Sequence, residues 1–201
     1  MQPKLNICFC CTGTKNGEVE VGQMYDCVVG PSEWKQNNFE LLDKKPPLEL
    51  YSGPGWDQVL RTIEKLKTHY DVTTYVFSAG WGILHEGDLI NPYSATFSGG
   101  HDDRIAAVDQ QDWILGVTQH QLPEGTVCVF PESYAKPYRR IWSNLDDMIL
   151  IQGTVEDRED LSCSMIRTTT TLMEKIVDNQ IEEGWDLEPI DWKQLRGFEV
   201  L

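Results

Sequence analysis

Residues 5–11 read LNICFCC and are followed by Thr12 and Gly13. A short apolar run rich in isoleucine, phenylalanine and cysteine, ended by a glycine turn, is typical of a strand buried inside a sheet. Three further runs share this character: 72–77 (VTTYVF), 126–130 (TVCVF) and 148–152 (MILIQ). The sequence therefore predicts four buried strands.

Apolar residues at helical spacing fill the intervals between these strands. In residues 55–70, Val59, Ile63 and Leu66 recur every three or four positions and so share one helix face. Further helices are predicted over residues 103–120, 132–145 and 164–183. Pro137 has no amide hydrogen to donate, so we expect it in the first turn of its helix.

Strands that alternate with helices predict an α/β fold. We expect a single domain over residues 1–201, with a mostly parallel, Rossmann-like sheet and helices on both of its faces. Residues 17–47 show no regular spacing of apolar residues and are expected to be irregular. The aromatic-rich tail, residues 184–201, is expected to pack on the domain.

The chain is strongly acidic, because 17 Lys and Arg residues oppose 32 Asp and Glu residues and give a formal net charge of −15. Strong binding to duplex DNA is therefore not expected, whereas a free nucleobase or nucleotide is compatible with this charge. Residues 144–191 carry 3 basic and 13 acidic side chains. The acidic residues of 146–191 offer a surface for a protein partner, for example through mimicry of nucleic-acid charge.

Several classes of protein are disfavoured by missing patterns. No apolar run reaches the roughly 20 residues that cross a bilayer, so no membrane association is expected. The polar first residues and the six cysteines, which lack paired CxxC spacing, predict a cytoplasmic, reduced protein with no bound metal. The GxGxxG, Walker A and GxSxG motifs are absent, so no cofactor is expected.

Ligands of parallel sheets bind beyond the carboxyl ends of the strands, which makes the loops there the first candidates for a site. The loop CCTGTK at residues 10–15 offers backbone amides and the cation of Lys15, which suit a phosphate or a carboxylate. Residues 130–140 place Arg139 among basic and aromatic residues that suit an anionic substrate. The alternatives are a tight turn with a surface lysine and a solvated helix face.

The loop after the second strand surrounds Trp81 with Gly80 and Gly82. The glycines let backbone approach a ligand, and the indole supplies a flat face for stacking. Polar residues follow among apolar ones: His85, Asp88, Tyr93 and Thr96. A histidine exchanges protons near neutral pH, which makes His85 a candidate acid or base. The alternative is a structural loop held by Trp81, with Asp88 capping a turn.

Taken in chain order, these segments resemble the YaaA-like superfamily, in particular a small bacterial and phage branch with an S-C-G-K-like strand end. The matching positions are Cys10 or Cys11 with Lys15, Leu50-Tyr51, Ser78-Ala79 with Gly82 and Leu84, Ile90 with Pro92-Tyr93 and Thr96, and Tyr134. They span about residues 5–138. Two features depart from the family pattern: residues 12–14 separate the cysteine from the lysine, and Trp81 stands where tyrosine or histidine is common.

The resemblance implies a compact α/β domain associated with nucleobase processing, with N-glycosidic cleavage as one activity. Such cleavage passes through an oxocarbenium-like state that a carboxylate stabilises. Asp88 is the first candidate carboxylate, with Asp102 or Asp103 behind it, and the other catalytic candidates are Ser78 and His85. The candidate ligand-binding residues are Cys11, Lys15, Tyr51, Trp81, Gly82, Tyr93, Thr96, Tyr134 and Arg139.

Two other classes of function stay open at this point. The chain suits a nucleotide-binding protein without catalysis, and it suits an acidic interaction protein that mimics DNA. A mimic requires the carboxylates of 146–191 to line one elongated face. A site at the strand ends requires Cys11, Ser78, Gly82 and Tyr134 to meet around one cleft.

Overall fold

A computed structural model describes residues 2–17, 25, 29–39, 44–98, 103–142, 148–153 and 164–182. Within these ranges the chain forms five strands and six helices. In chain order they are β1 (Lys4–Cys10), α1 (Pro31–Phe39), α2 (Pro47–Leu50), α3 (Pro54–Lys67), β2 (Asp71–Ser78), β3 (Gly82–His85), α4 (Gln110–Val117), β4 (Val127–Val129), α5 (Glu132–Ile141), β5 (Ile149–Ile151) and α6 (Met165–Glu182).

The strands form one sheet in the order β3-β2-β1-β4-β5. The pairs β1–β2, β1–β4 and β4–β5 are parallel, and β2–β3 is antiparallel. Helix α3 packs on α6 and β2, whereas α4 packs on α1, α5 and β3. The predicted α/β fold, a mostly parallel sheet with helices on both faces, is confirmed.

Strand β1 lies at the centre of the sheet, which explains its continuous apolar sequence. Ile7, Cys8 and Phe9 are all buried, because helices cover both faces of a central parallel strand. Neighbouring β2 begins with alternating burial and ends fully buried at Ser78. Because β1 and β2 are parallel, the polar side chains that follow them lie at the same edge of the sheet.

The structure adds a strand that the sequence did not predict. The segment after β2 was interpreted as a loop. In the structure residues 78–82 form a turn, and β3 begins at Gly82 and pairs with β2. The turn depends on Gly82, whose φ is +72°, and a Cβ at this position would collide with the Oγ1 of Thr118. A strand of four residues is too short to give a clear periodic signal.

Two predicted helices differ from the observed ones. The helix predicted over 103–120 is limited to α4, because Thr96 hydrogen-bonds across to the backbone of Asp103 and Ile105 and keeps that segment extended. Pro137 lies inside α5 and not in its first turn. Helix α1 forms where an irregular segment was expected, and Trp34 is the buried apolar residue of its mostly polar sequence.

Several expectations fall on parts of the chain outside the described residues. They include the tail at 184–201 and most of the acidic residues of 146–191, so the single elongated acidic face stays a prediction. On α6, Glu174 and Asp178 pair with Arg61 and Lys65 of α3. No helix in the described ranges has the length and apolar character needed to cross a membrane.

Candidate functional site

The carboxyl ends of β1 and β2 lie side by side. Cys10 is in register with Phe77, and the amide of Cys11 donates to the carbonyl of Phe77 at 3.0 Å. Ser78, the last residue of β2, is opposite Gly82 of β3. The ends of these strands therefore bring Cys11, Ser78 and Gly82 to one edge of the sheet.

Buried hydroxyl and thiol groups meet at this edge. The Oγ of Ser78 donates to the Oη of Tyr93 at 2.7 Å, and Tyr93 Oη lies 2.9 Å from the Oη of Tyr51. Beside them, the Sγ of Cys11 lies 2.9 Å from the Oη of Tyr134. All five side chains are buried. Together with Lys15 they are called the strand-end cluster below.

The three tyrosines of the cluster are held in their neutral form. Burial raises the pKa of Tyr51, Tyr93 and Tyr134 well above the ordinary value, and the neighbouring Cys11 adds to this increase. At physiological pH these side chains are therefore phenols that donate hydrogen bonds. They supply no negative charge to the site.

Lys15 provides the cation of the cluster and remains partly exposed. Its Nζ lies 4.2 Å from the ring centroid of Tyr93 and donates to the carbonyl of Gly13 at 3.3 Å. Burial lowers the pKa of this amine, while the charges of Cys11 and Asp103 act in the opposite direction. Lys15 thus has a larger neutral fraction than a solvated lysine.

Asp103 is the carboxylate close to the strand-end cluster. Its Oδ2 accepts a hydrogen bond from the Oγ of Ser94 at 2.5 Å, and its backbone carbonyl accepts one from Thr96 at 3.0 Å. The Asp103 charge acts on Lys15, where it opposes the lowering of the pKa of the amine by burial, and both side chains are partly exposed. Of the two second-rank carboxylates of the sequence analysis, Asp103 is the one whose charge reaches the cluster, and Asp102 lies outside the described residues.

A surface depression of about 220 Å³ lies beside residues 12–14, which precede Lys15 in the chain. Its walls are residues 12–14 after β1, residues 52–55 at the start of α3, and the start of α6 with Ser164 and Arg167. Two helices, α3 and α6, begin at this depression, and the positive end of a helix dipole favours anions. In the part of the chain that is described, no carboxylate forms an ion pair with Arg167.

Asp88 and His85 lie away from this edge. Because β3 runs antiparallel to β2, His85 is opposite Tyr75, three residues back from Ser78 and roughly 10 Å at the usual rise of a strand. Asp88 accepts a hydrogen bond from the amide of His85 at 2.8 Å and lies 2.9 Å from the Nε2 of His120. The structure thus places Asp88 as a turn cap with a histidine partner.

Trp81 is part of the core. It is 1% exposed, and its ring centroid lies 5.1 Å from that of Trp34, which also packs on Trp113. No face of the indole is open to a ligand in this structure. The arrangement corresponds to the structural alternative, in which Trp81 holds the loop.

The remaining predicted residues lie at the surface or in the backbone framework. Arg139 is exposed and lies 3.5 Å from the carboxylate of Glu132 on its own helix. Thr96 bridges to Arg104 through the backbone, and its hydroxyl donates to the carbonyl of Ser98. Neither side chain joins the strand-end cluster. No group of three metal-ligating side chains occurs among the residues with described positions.

Sequence reasoning missed four participants. His120, the partner of Asp88, is 32 residues away along the chain, so no local motif links them. Ser52 and Arg167 of the depression likewise come from distant segments. For Ser94 a signal was available, because it lies within the tyrosine–threonine motif that contains Tyr93 and Thr96.

No family model matches the chain, and no curated protein or solved structure matches it significantly. The resemblance to the YaaA-like superfamily therefore stays a prediction from the motifs.

Proposed function

We propose that the protein is an enzyme that processes a nucleotide at the strand-end cluster by cleaving its N-glycosidic bond. The observation that carries this proposal is the position of the Lys15 amine over the ring of Tyr93, whose hydroxyl is bonded to those of Tyr51 and Ser78. A cation, a carboxylate and neutral hydrogen-bond donors are the groups that such a reaction needs in one place.

Asp103 takes the role of the carboxylate that stabilises positive charge developing on the sugar. The hydroxyl groups of Tyr51, Ser78 and Tyr93 form a connected chain, which moves a proton toward the departing base. Asp88 lacks this position because His85 and His120 hold it elsewhere. This proposal therefore assigns the carboxylate role to Asp103.

The depression beside residues 12–14 favours a phosphorylated substrate. The guanidinium of Arg167 and the hydroxyls of Ser52 and Ser164 line it, and they suit the oxygens of a phosphate group. The net charge of −15 favours a free nucleotide over duplex DNA, since a long phosphate backbone would be repelled. The phosphate and the sugar of one nucleotide would then lie on either side of residues 13–15.

Calorimetric titration with nucleoside 5′-monophosphates, the matching nucleosides and a random DNA duplex tests the substrate class. We expect the nucleotide to bind about tenfold or more tightly than the nucleoside, as one charge-assisted contact would give. Arg167→Gln should remove this difference, whereas Arg139→Gln, which changes an exposed arginine elsewhere, should keep it. Equal binding of nucleotide and nucleoside by the unmodified protein would contradict the phosphate assignment.

A second readout separates this function from an acidic interaction protein. An interaction protein that mimics DNA has no use for the strand-end cluster and should bind none of the nucleotides or nucleosides. A screen of nucleobases, nucleosides and nucleotides that finds no ligand by calorimetry or by thermal melting would therefore overturn the proposed enzyme.

A further inference from the structure

The amine of Lys15 has surroundings unlike those of an ordinary surface lysine. Among the described residues no carboxylate forms an ion pair with it, and its hydrogen-bond acceptor is the neutral carbonyl of Gly13. By contrast, Lys65 pairs with both Glu174 and Asp178. The Nζ of Lys15 instead lies against the face of Tyr93, at 4.2 Å from the ring centroid, and 5.9 Å from that of Tyr51.

A lysine in such a place has a larger neutral fraction than a solvated lysine, and a neutral amine has a lone pair available for reaction. Desolvation disfavours the ammonium form, and a partly buried lysine is a common nucleophile toward carbonyl carbon. The phenols of Tyr51 and Tyr93 lie beside the amine, and the thiol of Cys11 and the carboxylate of Asp103 are close enough for their charges to affect its pKa, so groups that exchange protons are at hand. The side chain still reaches the surface.

We propose that the Nζ of Lys15 is the nucleophile of the site and forms an imine with C1′ of the substrate's sugar. The proposal rests on the nucleotide function proposed above and names the covalent step. It adds a catalytic role to a residue whose motif position suggested only phosphate binding.

The step balances without an oxidant or a reductant. The lone pair of Nζ forms a bond to C1′, the C1′–N bond breaks, and its electron pair leaves with the base, which takes up one proton from the amine. The remaining nitrogen lone pair then expels the ring oxygen, which takes the second amine proton, and an imine between C1′ and Nζ results. Addition of water releases the sugar as an aldehyde and restores the amine.

Reductive trapping tests the nucleophile directly. The full-length protein is incubated with ribose 5-phosphate and sodium cyanoborohydride, which reduces an imine to a stable secondary amine, and the labelled residue is located by peptide mass spectrometry. We expect about tenfold more label on Lys15 than on Lys35. Burial lowers the pKa of Lys35 as well, but its Nζ donates to the carbonyl of Val117, away from the cluster.

Two variants complete the experiment. Lys15→Arg keeps a cation over Tyr93 and should lose the label, while Lys35→Arg should keep it; thermal melts confirm that both remain folded. Label spread over exposed lysines, or equal on Lys15 and Lys35, would overturn the assignment.

A parallel assay of base release from 5′-nucleotides separates this inference from the proposed function. Full base release by Lys15→Arg would overturn the covalent step while leaving the function intact. Selective trapping on Lys15 with no base release from any nucleotide would overturn the proposed function and support the Lys15 amine as a nucleophile.

Discussion

The sulfur of Cys11 lies 2.9 Å from the phenol oxygen of Tyr134, although the two residues are 123 positions apart. Cys11 follows β1 and Tyr134 follows β4, and the chain order of the sheet changes direction between these two strands. In open α/β sheets a crevice forms at this switch point. The contact therefore joins the two sides of the place where a ligand is expected.

Removing the hydroxyl of Tyr134 tests how much this contact stabilises the fold. Tyr134→Phe should lower the stability by about 1 kcal/mol, because one buried hydrogen bond is lost and the thiol keeps no partner on that side. For a chain of this size the melting temperature should fall by about 2–4 °C. Tyr75→Phe, which changes a partly exposed ring, is the matched control and should lower the melting temperature less. An unchanged melt for Tyr134→Phe would contradict the contact.

Tyr93 connects two parts of the strand-end cluster. Tyr93→Phe leaves the hydroxyls of Ser78 and Tyr51 without their shared partner, so it should cost about 1–3 kcal/mol of stability, measured by urea unfolding. It should also reduce base release more than Tyr134→Phe does, since it breaks the hydroxyl chain. Base release equal to that of the unmodified protein, in a folded variant, would remove the chain from the mechanism.

The cysteines of the sheet should be inert in the folded protein. Cys8, Cys10, Cys11 and Cys128 are buried free thiols, and burial raises the pKa of Cys8, Cys10 and Cys128. A raised pKa keeps the thiol protonated, so alkylation at these three should not increase between pH 7 and pH 9. Mass spectrometry after iodoacetamide treatment measures this for each peptide. Rapid labelling of Cys8 or Cys10 in native buffer would show that the core opens.

The turn at Gly82 predicts a large difference between two glycine substitutions. Gly82→Ala should cost at least about 2 kcal/mol, because the positive φ is strained for alanine and its Cβ collides with Thr118. Gly13→Ala places its Cβ in open space and should stay within about 0.5 kcal/mol of the original stability. Denaturant unfolding compares the two. Equal effects would mean that the turn tolerates a side chain.

The sequence was sufficient for the strands that form the centre of the sheet. The buried runs around Ile7, Val76 and Cys128 predicted β1, β2 and β4, because apolar residues on both faces of a central strand leave a clear signal. Strand β3 and helix α1 were missed, since they are short or polar and depend on tertiary partners such as Thr118. Local patterns carry little information about such elements.

The candidate site was predictable only in part. The motifs named Cys11, Lys15, Tyr51, Ser78, Tyr93 and Tyr134, and the structure brings these six side chains together. The sequence could not predict which carboxylate acts on the cluster, because Asp88 and Asp103 are both close to the motif along the chain. Strand β3 runs antiparallel to β2 and so leads the chain toward Asp88 away from the strand ends. The roles of both carboxylates stay predictions.

Comparing these two carboxylates tests the central claim most directly. Release of free base from nucleoside 5′-monophosphates is followed by chromatography for the unmodified protein, Asp103→Asn and Asp88→Asn, with the exposed Asp112→Asn as a control for the loss of one charge. We expect Asp103→Asn to reduce turnover by about a hundredfold or more, because it removes charge stabilisation in the transition state. Asp88→Asn should lower the melting temperature and retain most of the turnover. Full activity of a folded Asp103→Asn variant would contradict the proposed site.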